Sequence, residues 1–374
     1  MTDLIALRRQ LHSYPELGRQ EHRTTALLCS VLADLKPRVL KGGTGLVCDL
    51  GTAGPLVVLR ADIDALPLLD EKDVPYRSQH DGVCHACGHD VHTAVVVGAG
   101  LALAAIELPG RVRLLFQHAE EQMPGGALDV IDEGLLEGAS AIFGLHCDPS
   151  LEVGLIGLKS GPLTAAADLV EVHLSGPGGH TSRPHNTVDL VHALAAVATG
   201  LPEALSRLID PRAGLCLVWG HIAAGTASNA IPRQGTLRGT LRVLDKDAWE
   251  RAPALVERLV RELVAPFGAQ ASVTYERGVP PVVNDAGATS VLSAAVRTVL
   301  GPAAAVPTQQ SLGGEDFAWY LDHVPGAMAR LGVKPVGAAH ALDLHQPAFD
   351  VDEAAIGVGV RVLVAAALGA LATM

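Results

Sequence analysis

Residues 84–93 read Cys-His-Ala-Cys-Gly-His-Asp-Val-His-Thr, and six of these ten side chains can bind a metal or carry a proton. They end where the longest apolar run of the N-terminal half begins, residues 94–106, so a glycine turn feeds a dense donor set into a buried helix. Thiolate and imidazole together suit zinc or a neighbouring first-row cation. Two other readings stand beside this one. Histidines near a helix start can be caps or solvated polar groups, and Cys84 with Cys87 spells Cys-x-x-Cys, a redox or zinc-knuckle pattern, although no second cysteine pair follows. Further on, Glu120 and Glu121 are adjacent carboxylates. One can bind metal while its neighbour, facing the other way, handles protons.

The elements around these residues have to bring them together. Residues 45–50, 56–60, 112–117 and 141–145 read as strands, and helices at 24–35, 91–106 and near 126–133 alternate with them. Mostly apolar strands in such alternation give an α/β layer fold with a largely parallel central sheet. In that class of sheet, ligands collect outside the carboxyl ends of the strands. Asp62 and Asp64 follow the strand ending at Arg60, Glu120 and Glu121 follow the one ending at Gln117, and His146 ends the one closing at Leu145. The Cys87/His89 loop can join them, while His345 lies far along the chain.

The middle of the chain changes character. Strands at 170–174, 215–222, 235–243 and 271–277 with helices at 188–201 and 247–267 run β-α-β-β-α-β, the ferredoxin-like order. Residues 169–280 are therefore expected to form an inserted domain, and 1–168 with 281–374 a discontinuous α/β domain. A helix at 289–300, a strand near 328–332 and a helix at 353–371 complete that domain.

Composition excludes several classes of function. The chain has 374 residues, 49% hydrophobic and 18% charged, with a mean hydropathy of +0.30, so it can bury a large core. A formal charge of -12 and no basic run argue against nucleic-acid binding. Residues 1–21 mix Asp3, Arg8, Arg9, Glu16 and Glu21 with the apolar stripe Leu4, Leu7, Leu11, so they read as an amphipathic helix without a signal peptide's apolar core. The two longest apolar runs, 94–106 and 362–372, are shorter than the roughly 20 residues of a membrane span. A cytoplasmic protein is expected. Cys29, Cys48 and Cys216, flanked by Leu or Val, read as small core residues, not disulfide partners.

Seven motifs in fixed order carry a resemblance. Residues 60–67 (RADIDALP), 85–90 (HACGHD), 116–121 (FQHAEE), 144–146 (GLH), 178–180 (GGH), 229–232 (NAIP) and 344–345 (LH) are similar to those of the M20 metallopeptidase family in its amidohydrolase branch. That branch holds hippurate hydrolases, N-acyl-amino-acid amidohydrolases, N-acetyldiaminopimelate deacetylases and plant auxin-conjugate hydrolases. The resemblance covers nearly the whole chain. It implies two divalent ions (zinc, manganese, cobalt or nickel) held by Cys87, His89, Glu121, His146 and His345, with the Cys87 thiolate bridging. It gives the general base to Glu120, and to His180 and Asn229 a grip on the scissile carbonyl oxygen from a neighbouring subunit, the inserted domain acting as a dimerisation and lid domain in a homodimer or dimer of dimers. Cys84 and His118 depart from the pattern, standing where an apolar residue, often Met, and Pro are usual. His80, His85 and His92 are expected to be supporting or surface histidines, and Asp62 and Asp64 to orient ligands.

The expected activity is metal-dependent hydrolysis of the amide of a small-molecule N-acyl amino acid, releasing an amino acid and a carboxylic acid. A dipeptidase, an N-acetyldiaminopimelate or ornithine-type deacetylase, and a non-catalytic metal-containing binding protein are the alternatives. Arg242 is a candidate for gripping the substrate's α-carboxylate, since guanidinium binds carboxylate through two hydrogen bonds.

Overall fold

A computed structural model describes residues 2–373. Its first segment carries α1 (Leu4–Ser13), α2 (His22–Val31), β1 (Arg38–Val39), β2 (Leu46–Leu50), β3 (Leu56–Asp62), α3 (His89–Ala104), β4 (Arg111–Gln117), α4 (Ala127–Asp132), β5 (Ala139–Glu152), β6 (Ile156–Leu158) and β7 (Gly161–Pro162). The middle carries β8 (Ala166–Ser175), β9 (Gly179–His180), α5 (Leu190–Leu208), β10 (Cys216–Ala224), β11 (Ala230–Ile231), β12 (Gln234–Val243), α6 (Lys246–Val264) and β13 (Gln270–Val279). The last segment adds β14 (Val283–Asn284), α7 (Ala286–Leu300), β15 (Ala305–Pro307), α8 (Phe317–Tyr320), β16 (Gly326–Lys334) and α9 (Ala354–Thr373).

The chain divides into two units. The first runs to Gly161 and resumes over Val283–Gln309 and from Asp316 onward; the second is Pro162–Val282 with Gln310–Glu315. These limits differ from the expected 168/169 and 280/281 boundaries. Backbone hydrogen bonds explain why a short late segment joins the second unit: Ser311 N–H donates to Leu163 O at 2.9 Å, and Ala165 N–H to Ser311 O at 3.1 Å.

In the first unit, the sheet among the described residues has the order β1-β2-β4-β3-β5-β16-β6-β15, and the four central strands β4, β3, β5 and β16 are parallel. Every residue of β3 is buried, as a strand covered on both faces requires. α3 and α9 pack against this sheet and against each other. α9 is longer than the apolar run that suggested it and, by length and composition, could cross a membrane; 56% of its most apolar window is buried, with Ile356, Val362, Leu363 and Ala366 in the core.

Two local readings change here. The amphipathic helix expected over 1–21 stops at Ser13, because Pro15 disfavours helical backbone at Tyr14, whose φ and ψ are -133° and 60°. β5 runs to Glu152, so His146 lies inside a strand, paired in register with Arg330 of β16, instead of ending one.

The second unit has a four-stranded antiparallel sheet of order β10-β12-β8-β13, the ferredoxin-like arrangement of its β-α-β-β-α-β chain order. α5 and α6 cover one face. Burial alternates along β8, and Leu169, Val218 and Ile222 on the open face are 55%, 58% and 59% exposed. Cys216 is exposed too, contrary to the core reading, since the period of two that buries Leu217 turns its neighbour outward.

Candidate metal centre

Different elements of the first unit deliver the donors. α3 begins at His89, and its N-cap Gly88 has φ 88°, a left-handed conformation open to glycine without strain. A Cβ on Gly88 would meet the Cys147 Sγ at 2.7 Å, so the turn passes beside β5 only with glycine. Cys87 and His89 flank it, both buried. His89 Nδ1 donates to the Asp64 carbonyl oxygen at 3.0 Å, and His146 Nδ1 to the Cys147 carbonyl oxygen at 2.8 Å. Carbonyls only accept, so in its neutral form, the one that can bind metal, each ring presents its Nε2 lone pair.

Those lone pairs face other donors. His146 Nε2 is 3.6 Å from the Cys87 Sγ. His89 Nε2 is 3.8 Å from Asp62 Oδ2, Glu120 Oε2 and Glu121 Oε1 alike. Glu121 Oε1 is 3.4 Å from Nε2 of His345, a half-exposed side chain whose backbone N–H donates to Ala86 O at 2.8 Å. Donor atoms of Cys87, His89 and His146 lie within 4.8 Å of one another, as do those of Cys87, Glu121 and His345, and those of His89, Glu120 and Glu121. Cys87 thus belongs to two of these sets.

The residues fit a cation. His89 Nε2 and Glu121 Oε1 are buried with no hydrogen-bond partner, a costly arrangement for two polar atoms. Their separations are too long for good hydrogen bonds. At 3.4–3.8 Å they run from within to slightly beyond the roughly 3.3–3.6 Å between two donors that share one tetrahedral ion at ordinary N, O and S bond lengths. A mixed sulfur, nitrogen and oxygen set also suits a first-row divalent ion.

Charge around the site points the same way. Burial alone would lower the pKa of His89, but Asp62, Asp64 and Glu121 outweigh it and push it up to about 10. A proton held so firmly among carboxylates marks a place where positive charge is favoured, and metal competes for it. Burial, helped by Arg330 and His92, drives His146 well below the usual histidine range and keeps its ring neutral. His345 is shifted upward by Glu121.

A buried network holds the ligands in place. Asp62 Oδ1 accepts from His92 Nδ1 at 2.7 Å, and His92 Nε2 accepts the Cys147 N–H at 2.8 Å, so His92 has both nitrogens committed. Arg60 donates to Asp62 at 2.6 Å, to Gln117 at 2.9 Å and to Asp316 at 2.8 Å. Sequence reasoning missed Arg60 and Asp316 as supports. A charged residue inside an otherwise apolar strand was the available signal for Arg60.

The remaining candidates fall elsewhere. Cys84 groups with His12 and Asp70, where the Lys72 ammonium, 2.9 Å from Asp70 Oδ1 and 3.5 Å from the Cys84 Sγ, already supplies a cation. His118 Nε2 pairs with Asp129 Oδ2 at 2.9 Å. His85 is buried and pushed down to about 3 by desolvation, and His80 is exposed with Nδ1 on Pro15 O. In the second unit, His180 and Asn229 are exposed and adjoin across the β9–β11 ribbon, where Thr181 N–H donates to Asn229 O at 3.3 Å. Arg242 donates through Nη1 to the Leu312 carbonyl oxygen.

Residues 58–369 match the model of peptidase family M20/M25/M40. This chain belongs to that family. Among its relatives, a putative glutamate–cysteine ligase 2-3 of Rhodococcus jostii (strain RHA1) is 48% identical over 365 residues, covering 97% of this chain but 46% of that protein. The chain therefore spans about half the length of that relative, to which the ligase name belongs. An N-acetyl-L-cysteine deacetylase of Bacillus subtilis (strain 168) is 39% identical, covering 94% of this chain and 84% of that protein. The crystal structure of a Bacillus subtilis protein described as a dinuclear metal binding peptidase from the M20 family superposes with a TM-score of 0.87 at 35% identity, over 99% of this chain and 98% of that one.

Proposed function

We propose that this M20 chain hydrolyses the amide bond of N-acyl amino acids, with two divalent ions held by Cys87, His89, Glu121, His146 and His345. The observation that carries the reading is Cys87's membership in two donor sets, which would put its thiolate within reach of both ions. The deacetylase relative supports the substrate class, since N-acetyl-L-cysteine is an N-acyl amino acid. The ions would supply Lewis acidity, polarising the scissile carbonyl and making a water more acidic.

The proton work falls to Glu120. Its Oε2 stands 3.8 Å from His89 Nε2, at the edge of the ligand set, and it is only 7% exposed. From there it would take a proton from the attacking water and pass it to the leaving amine, while Glu121, turned toward His345, would be one of the residues that hold the ions. Asp62 and Asp64 orient His92 and His89.

The second unit is proposed to form a homodimer whose His180 and Asn229 grip the carbonyl oxygen in the partner's site. Support comes from the exposed position of both residues and from the edge strand β10, which carries exposed Val218 and Ile222 beside unpaired backbone groups. Arg242 is proposed to hold the α-carboxylate, its guanidinium steadied on the Leu312 carbonyl. A cytoplasmic location accompanies this reading. Metal-loaded protein offered N-acetyl, N-benzoyl and dipeptide substrates should release amine from the N-acyl amino acids. Release from none of them contradicts the proposal, and release from dipeptides alone replaces it with a dipeptidase.

A further inference from the structure

We propose that Glu21, at the junction of α1 and α2, positions Glu120 by holding the peptide N–H of Ala119. Glu21 occupies the N-cap place of α2, yet its side chain makes no bond to that helix. It reaches instead across 98 positions of sequence, where Oε1 accepts the Ala119 N–H at 2.8 Å. Glu21 is fully buried, and its own backbone is fixed: Thr25 Oγ1 donates to Glu21 O at 2.6 Å and accepts the Gly45 N–H at 2.9 Å.

Ala119 needs such a partner. Its φ is 52°, a left-handed conformation unfavourable for a residue with a Cβ. Its carbonyl accepts the Gly126 N–H at 3.0 Å, and two residues on, the Glu121 N–H donates to Asp64 Oδ2 at 3.0 Å. The peptide that follows Glu120 is thus tied to the Asp64 carboxylate, the one that precedes it is held through the Ala119 carbonyl by Gly126, and the peptide entering Ala119, one residue earlier, is tied to Glu21. Glu21 is not a member of any of the three donor sets at the centre and acts only through Ala119, as a positioning residue. Because burial pushes its carboxyl pKa up, glutamine is a close neutral mimic that keeps the accepting oxygen.

The inference rests on Glu120 as the general base, and the test separates the two. Glu21→Ala should lower kcat by about 10–100-fold, the size of effect that a displaced catalytic group produces, with KM and metal stoichiometry unchanged. Glu21→Gln should recover most of that loss. Glu21→Asp, which withdraws the oxygens by one methylene, should repeat it and replaces the alanine variant if that does not fold. Ala119→Gly in the Glu21→Ala background should recover part, because glycine takes the left-handed turn unaided. Hydrogen–deuterium exchange of residues 117–122 should rise in Glu21→Ala or Glu21→Asp and not in Glu21→Gln, a readout that needs no turnover. Wild-type protein inactive on the whole substrate panel therefore overturns the functional reading, while exchange still judges the Glu21 contact. Unchanged kcat, unchanged exchange, equal loss in Gln and Ala, or loss of metal together with activity each overturns the positioning role.

Discussion

The two units bury polar groups in different ways. In the second, Asp168 is a buried carboxylate whose partners are ordinary: Trp249 Nε1 at 2.8 Å, Tyr275 OH at 2.6 Å and the Gly278 N–H at 3.0 Å. It ties α6 to β13 and leaves no donor in search of a ligand. In the first, the carboxyl edge of the parallel strands collects Asp62, Asp64, His89, Glu120, Glu121 and His146, and three of their atoms, Asp64 Oδ1, His89 Nε2 and Glu121 Oε1, have no hydrogen-bond partner. A sheet covered on both faces can hold charges in low dielectric, where they shift one another's proton affinity. An antiparallel sheet with one open face keeps its exposed side for contact with another surface.

Breaking the first unit's network should have the largest effect on stability. Arg60→Met leaves Asp62 and Asp316 buried without their guanidinium, and breaking a buried ion pair costs about 3–5 kcal/mol. Urea unfolding of the metal-free protein measures it, and a loss below about 1 kcal/mol would mean that the network is not held as drawn. Removing the same number of contacts from the open face of the second unit should cost far less.

A graded effect comes from His12, which sits between Asp90 at 2.7 Å and Asp70 at 3.3 Å. Burial lowers its pKa, but Asp90 and Asp70 outweigh this and raise it to about 10. Its stabilising contribution is therefore complete below its unfolded value of about 6.5 and is lost as pH rises toward about 10. Unfolding midpoints at several pH values across that window should fall, and His12→Gln should flatten the slope.

The smallest effect on stability is expected at Ile222, which is 59% exposed on the open sheet face. Ile222→Thr should change the unfolding free energy by less than about 0.5 kcal/mol, while sedimentation should show weaker association if the proposed homodimer uses this unit. A large loss of stability with no change in association would reverse the contrast between the units.

Much of this contrast was legible in the sequence. Strand periodicity and the glycine turn before His89 located the layers and the donors, because burial on both faces leaves continuous apolar runs. Local patterns failed where tertiary contacts decide. Arg8 reads as a solvated charge on an amphipathic helix, yet it is buried against Asp90 at 2.6 Å. β5 outlasts its apolar run because pairing with β16 continues past His146. Glu21 resembles any charged residue at a helix start, and only the fold shows its carboxylate meeting Ala119.

The most direct measurement is metal content and turnover of Glu120→Gln beside wild type. If Cys87, His89, Glu121, His146 and His345 hold two ions and Glu120 moves the proton, the variant keeps two ions per chain and loses about 10²–10⁴-fold in kcat. Unchanged kcat, or loss of an ion in step with activity, would contradict that division between Glu120 and Glu121.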